Sequence, residues 1–130
     1  MVLATRNGDG VAARTVNVYT YNESFYFVTE ADSNKYAQIS QNANVALSVD
    51  VIQITGEASL LEHPASEANK QFVNAVEKEL PQQFDRFASV PVMRVIKITP
   101  IHASFLSMET GKGYAIDFKE NAAFPIQHEM

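Results

Sequence analysis

Three residues in the first third of the chain have the chemistry to hold an anion: Arg14, Thr29 and Lys35. A guanidinium, a hydroxyl and an ammonium are all donors that a phosphate ester accepts from. Lys35 is the most informative. It follows Asp32-Ser33-Asn34, and because Asp32 and Ser33 are both good N-cap residues, it falls in the first turn of the helix they open. A helix N-terminus carries unpaired N–H groups and partial positive charge, which favours acids and disfavours a lysine. No Glu or Gln completes a capping box here. Two readings are open. In one, Lys35 is solvated and Glu30 and Asp32 balance the dipole. In the other, a phosphate sits between the ammonium and the helix N–H groups, with Arg14 and Thr29 reaching it from neighbouring strands.

Strands must position these side chains. Residues 11–20 read as one strand carrying Arg14, and Phe25 to Thr29 as the next; a turn at Tyr21-Asn22-Glu23-Ser24 makes them side-by-side hairpin partners. Arg14 shares parity with Val16 and Val18, so a twist or bulge is expected if its head is to reach a phosphate. Val2 to Thr5 is an earlier strand, joined through the turn Asn7-Gly8-Asp9-Gly10. Val45, Leu47 and Val49 alternate on one face of a further strand. Ile52, Ile54, Gly56, Ala58 and Leu60 share one face of a longer one, where Gly56 marks a bulge or a close backbone approach. The period then changes. His63-Pro64 opens a helix with Ala65, Ala68, Phe72, Val76 and Leu80 at helical spacing, Pro81 ends it, and Phe84 and Phe87 suggest one more turn. Val92 to Leu106 is a long strand whose alternation shifts at Thr99-Pro100, which calls for a bulge or corner. Tyr114 to Phe118 is the last strand, and residues 120–130 show no pattern. About seven hairpin-linked strands with two helices favour a small antiparallel barrel over a parallel α/β sheet.

Composition narrows the function. At 130 residues the chain is one domain, and 46% hydrophobic content supplies its core. With 15 acids against 10 bases and net charge −5, no basic run exists to neutralise a nucleic acid backbone, although one phosphate needs only local charge. There is no cysteine, which removes thiolate chemistry and is compatible with a cytoplasmic location. No apolar run approaches membrane length, and Met1-Val2-Leu3-Ala4 has no signal-peptide pattern. His63, His102 and His128 lack ligand spacing, so no metal site is expected.

The ordered set Val2-Leu3-Ala4-Thr5, Gly10 to Val16, Tyr26-Phe27-Val28-Thr29, Ser33-Asn34-Lys35, Gln38-Ile39, Asn44-Val45-Ala46-Leu47 and Gly56-Glu57-Ala58 resembles the pyridoxamine 5′-phosphate oxidase-like family of FMN-binding split barrels. The resemblance runs to about Leu61, and Val95 to Pro100 is similar to a later barrel strand of the family. It implies a mainly β fold with a few helices: a six-stranded antiparallel Greek-key split barrel, paired as a homodimer with FMN between the subunits. By the same resemblance, Arg14 and Lys35 bind the FMN phosphate, helped by Val28-Thr29 and by Ser33 and Asn34, while Thr15, Val16 and Asn17 run beside the flavin ring. Where family oxidases place a flavin-touching glutamine, this frame has Val51, with Gln53 two residues on as the substitute. The family usually has a helix before the first strand, and this sequence opens on the strand.

The authentic oxidase uses a late tryptophan and arginine for its pyridoxal substrate. This sequence has no tryptophan and its last arginine is Arg94, so pyridoxamine phosphate oxidation is not the expected reaction. What remains is hydride or electron transfer through FMN to an unidentified small molecule, with no general acid or base in view. The alternatives are a non-catalytic dimeric module holding flavin, deazaflavin or haem, and a barrel that has lost its ligand. The dimer is expected because Val45, Leu47, Val49 and the run from Val92 to Ile98 have too few helices to cover them.

Overall fold

Two tight turns fold the first thirty residues into hairpins. Gly8, at φ 60°, turns the chain so that Asn7 pairs with Gly10; Asn22 and Glu23, at φ 49° and 64°, turn it so that Tyr21 pairs with Ser24. The computed structural model describes residues 1–77, 89–106, 110–120 and 122–126, the last five as backbone. In chain order these form β1 (Val2–Asn7), β2 (Gly10–Thr15), β3 (Tyr19–Tyr21), β4 (Ser24–Glu30), α1 (Asn34–Gln41), β5 (Asn44–Val49), β6 (Ile52–Leu60), α2 (Lys70–Glu77), β7 (Met93–Leu106), β8 (Gly113–Asp117) and β9 (Ala122–Ile126).

All the strand pairs are antiparallel, in the order β2-β1-β5-β6-β7-β4-β3, with β8 and β9 added along the far end of β7. The strand expected over residues 11–20 is therefore two strands, and β2 is not beside β4: they lie near opposite ends of the path. The physical reason is topological. Val16 ends the first ladder by exchanging backbone bonds with Met1 (2.9 and 3.2 Å), and residues 16–18 then carry the chain from one sheet edge to the other. No ladder joins β2 to β3, which makes the barrel a split one.

Leu3, Phe27, Leu47, Ile54, Ile96 and Ile98 fill the barrel, and Ile39 of α1 plugs one end. Outside, α2 covers the β3–β4–β7 side, with Phe72 stacked on Tyr26 at 4.3 Å between ring centroids. The strand faces expected to be left for a partner are thus used within the protomer: Val45, Leu47, Val95, Ile96 and Ile98 are buried, and Val49 is half-buried. The bare face is a different one. The outer side of β2-β1-β5-β6 carries Ala13, Thr15, Val2, Ala4, Ala46, Ser48 and Thr55, with no described helix over it.

Gly56 satisfies both readings of it. The β6–β7 register shifts between Thr55 and Gly56, so that Ile101 bulges, and a Cβ on Gly56 would stand 2.6 Å from the Thr99 carbonyl oxygen. Pro100 fits because Val95 bonds to Glu62 and Leu61 on the β6 side. By alternation residue 100 faces the β4 side, beyond the start of β4, where no partner needs its missing N–H. The helix expected from His63-Pro64 begins later. His63 Nδ1 accepts from the Ala65 N–H at 3.0 Å, and buried Asn69 donates to the Glu62 and His63 carbonyls, which fixes a turn and a short 3-10 segment before Lys70. Its expected end at Leu80-Pro81, and Phe84 and Phe87, fall outside the described residues. β9 was not legible as a strand; Pro125 suits it because it lies on an edge. No described helix is long and apolar enough to cross a membrane.

Candidate functional site

The start of α1 is assembled from hydroxyls. Ser33 is the N-cap, in extended geometry, and its Oγ accepts from the Tyr36 N–H at 3.2 Å. Buried Thr29, at the end of β4, shares a hydrogen bond with the same Oγ at 3.1 Å, so β4 delivers α1 at a fixed angle. Asn34 is exposed and Lys35 half-buried in a first turn that holds no acid. Among the described residues Lys35 enters no ion pair.

Arg14 reaches this end of the barrel without the expected twist or bulge. The β1–β2 register is unbroken from Val2↔Thr15 to Asn7↔Gly10, so Arg14 points inward beside Leu3. Three neutral oxygens accept from it: Thr5 Oγ1 and the Leu3 carbonyl from Nη1 at 2.8 and 3.4 Å, and Gln38 Oε1 from Nη2 at 2.8 Å. Thr5 Oγ1 donates in turn to Gln38 Oε1 at 2.6 Å. Burial pulls the guanidinium below its ordinary value, yet an arginine stays charged. No carboxylate pairs with it among the described residues. Gln38 lies one helical turn after Lys35, so both cations work from the same flank of α1. Sequence reasoning missed Thr5 and Gln38 as site residues. The available signal was parity: Thr5 follows Leu3 by two, and a hydroxyl on an inner face needs a partner.

The edge of β2 supplies a second kind of group. Since Val16 and Met1 exchange both bonds, the backbone of Arg14 and Ala12 faces β1, and that of Val11, Ala13 and Thr15 faces off the sheet. Thr15 thus presents one N–H and one C=O side by side at a free edge, with exposed Asn17 just beyond and Val16 buried between. On the bare outer face, Thr15, Val2, Ser48, Gln53 and Ser104 form one cross-strand row. Exposed Gln53 is three strand spacings from Thr15, about 14 Å. A groove of about 350 Å³ lies on this face, lined by Ala4, Arg6, Val11, Ala46 and Thr55 among others. Val28 is apart from both groups, its side chain packed in the cluster under α2, so only its backbone is placed to serve α1.

A short helix with Lys35 in its first turn and Arg14 bound to its second, inside a split barrel, narrows the relatives, and the sequence profile of the pyridoxamine 5′-phosphate oxidase family matches residues 1–107. The chain belongs to that family. Among solved structures, it is similar to a pyridoxamine 5′-phosphate oxidase-related, FMN-binding protein of Nostoc punctiforme (TM-score 0.68, 16% identity, 98% of this chain and 86% of the other). It is also similar to a putative pyridoxamine 5′-phosphate oxidase of Listeria innocua (0.60, 24%, 78% and 83%) and to the haem storage protein HutZ of Vibrio cholerae (0.65, 14%, 76% and 79%). At these identities the likeness establishes the fold. No curated protein sequence matches the chain.

Proposed function

We propose that this family member is a cytoplasmic, homodimeric FMN-dependent oxidoreductase acting on a small molecule, with the cofactor held between subunits. One observation carries the reading. Two cations, Lys35 in the first turn of α1 and Arg14 bound to Gln38 in its second, serve one short helix with no acidic partner among the described residues, in a chain of net charge −5. A phosphate ester would supply the missing charge: Lys35 and the N–H groups of α1 would take it at the helix start, with Arg14 as the second cation on the same flank. The ring would follow the β2 edge, where the paired N–H and C=O of Thr15 match the alternating donors and acceptors of a flavin pyrimidine, with Asn17 as a further polar contact; Gln53, three strands away, is not brought to that edge. Bound FMN supplies the hydride and single-electron chemistry. The protein's part is to fix the phosphate, align the ring and exclude water, and a second copy seated on the small-residue outer face would close the site.

A second reading, haem binding, has one feature in its favour. Both ring nitrogens of His63 are engaged, by the Ala65 N–H and by the Val90 carbonyl at 2.9 Å, but His102 stands exposed on a strand with Asp117 3.4 Å from its Nε2. That arrangement orients an imidazole for iron. The visible spectrum of the purified protein separates the two. Flavin bands, with FMN released on denaturation, support the first; a Soret band replaces it with the second; a colourless protein that takes up neither overturns both. Sedimentation showing a stable monomer at micromolar concentration would remove the dimer.

A further inference from the structure

The oxygens that hold Arg14 are arranged as a carboxylate would be, without its charge. Thr5 Oγ1 and Gln38 Oε1 stand 2.6 Å apart, and each accepts from a different Nη of the same guanidinium at 2.8 Å. This is the fork-to-fork geometry of an arginine–carboxylate pair, built from two neutral groups. A guanidinium carries five N–H donors in a rigid plane. The edge formed by Nη1 and Nη2 is taken by this oxygen pair, and the remaining Nη1 hydrogen points to the Leu3 carbonyl at 3.4 Å. The other edge, Nε–H with the second Nη2 hydrogen, meets no acceptor among the described residues. Thr5 is 2% exposed, so its hydroxyl cannot swing out to water. An aspartate or glutamate in place of the pair would hold the arginine equally well but would cancel its charge.

We propose that Thr5 and Gln38 are positioning residues that lock Arg14 in orientation while leaving its charge and its Nε edge for the phosphate of an anionic ligand. This rests on the phosphate site proposed above and adds the device that keeps it cationic. It also accounts for a glutamine on the barrel-facing side of α1, one turn after Lys35: a neutral acceptor is the one choice that fixes a neighbouring arginine without competing for it.

The test is the isosteric change Gln38→Glu, read as the affinity for FMN against that for riboflavin, which shares the ring and lacks the phosphate. Fluorescence quenching gives both constants. FMN affinity is expected to fall by about tenfold or more, as for loss of one charge-assisted hydrogen bond, with riboflavin affinity unchanged. The ligand-free variant is expected to melt no lower than wild type, because a carboxylate strengthens the strut. Thr5→Val is the second variant, and it decides the matter if Gln38→Glu does not fold; removing half of the oxygen pair should likewise lower FMN affinity and spare riboflavin. Equal loss for both flavins would mean a merely structural strut and overturn the proposal. So would an unchanged FMN constant in both variants where Lys35→Glu weakens FMN, and in that case the phosphate site itself would stand. A wild-type protein that binds neither flavin overturns site and device together.

Discussion

Reversing the charge at Lys35 separates what the start of α1 does for the fold from what it does for a ligand. Lys35 sits half-buried in a first helical turn without an acid, and its ammonium has no ion pair among the described residues. For the fold it is therefore a mildly misplaced charge. Replacing it by glutamate exchanges an unfavourable interaction with the helix dipole for a favourable one, which at a partly solvated site is worth at most about 1 kcal/mol. In a domain of this size that moves the melting temperature upward by a few degrees or leaves it alone. For a phosphate the sign is opposite. Loss of a hydrogen bond to a charged group costs about 1.5–3 kcal/mol, and like-charge repulsion adds to it. At about 1.4 kcal/mol per decade, FMN affinity should fall by roughly tenfold to a hundredfold. The assays are thermal melts of the ligand-free protein and FMN titration by fluorescence quenching, with riboflavin as the phosphate-free control. An FMN constant unchanged in Lys35→Glu would refute the reasoning and leave Arg14 alone to bind the phosphate. A large drop in melting temperature would also count against it, because it would mean that Lys35 carries a packing role.

Gly56→Ala should cost about 1–3 kcal/mol, since the added Cβ meets the Thr99 carbonyl at 2.6 Å and backbone in a ladder cannot swing aside; a urea midpoint within error of wild type would count against the bulge. Phe72→Ala, which removes the ring stacked on Tyr26 under α2, should cost about 3–5 kcal/mol in the same assay and leave FMN affinity of the folded protein unchanged, because α2 covers the opposite flank of the sheet. Asp117 gives a pH signature. Bonds from the Glu120 and Lys119 N–H groups, with His102 nearby, hold its carboxyl below the usual carboxylate value. The stability it contributes is fully present above the unfolded pKa of about 3.9 and is lost as pH falls through the lower folded value. Wild type should thus be more stable than Asp117→Asn at about pH 6, and the gap should narrow at about pH 3; a gap independent of pH would show that the turn, not the charge, matters.

Local chemistry that names its own geometry was legible in the sequence. Gly8 and the Asn22-Glu23 pair announce turns, Ser33 announces a helix start, and Gly56 with Pro100 announces a bulge, because each residue type is favoured by one backbone arrangement. The inward parity of Arg14 was legible as well. What followed from it was not, because the oxygens that make an inward arginine tolerable come from Thr5 and Gln38, 9 and 24 residues away, and no local window contains them. The break between β2 and β3 was hidden for a related reason. Val16-Asn17-Val18 holds two strong strand formers, and it leaves the ladder because the barrel needs its chain on the other edge. The bare outer face is hidden because hydrophobicity points away from it. Val45 and Leu47 alternate conspicuously because the protomer buries them itself, so a conspicuous stripe is evidence of an interior already filled. Ala4, Ala13, Thr15, Ala46 and Thr55 make the outer face small and only weakly apolar, so nothing in the sequence marks it out; on the proposed reading, a second subunit or a flat ring would meet such a face closely, and it would stay soluble until then.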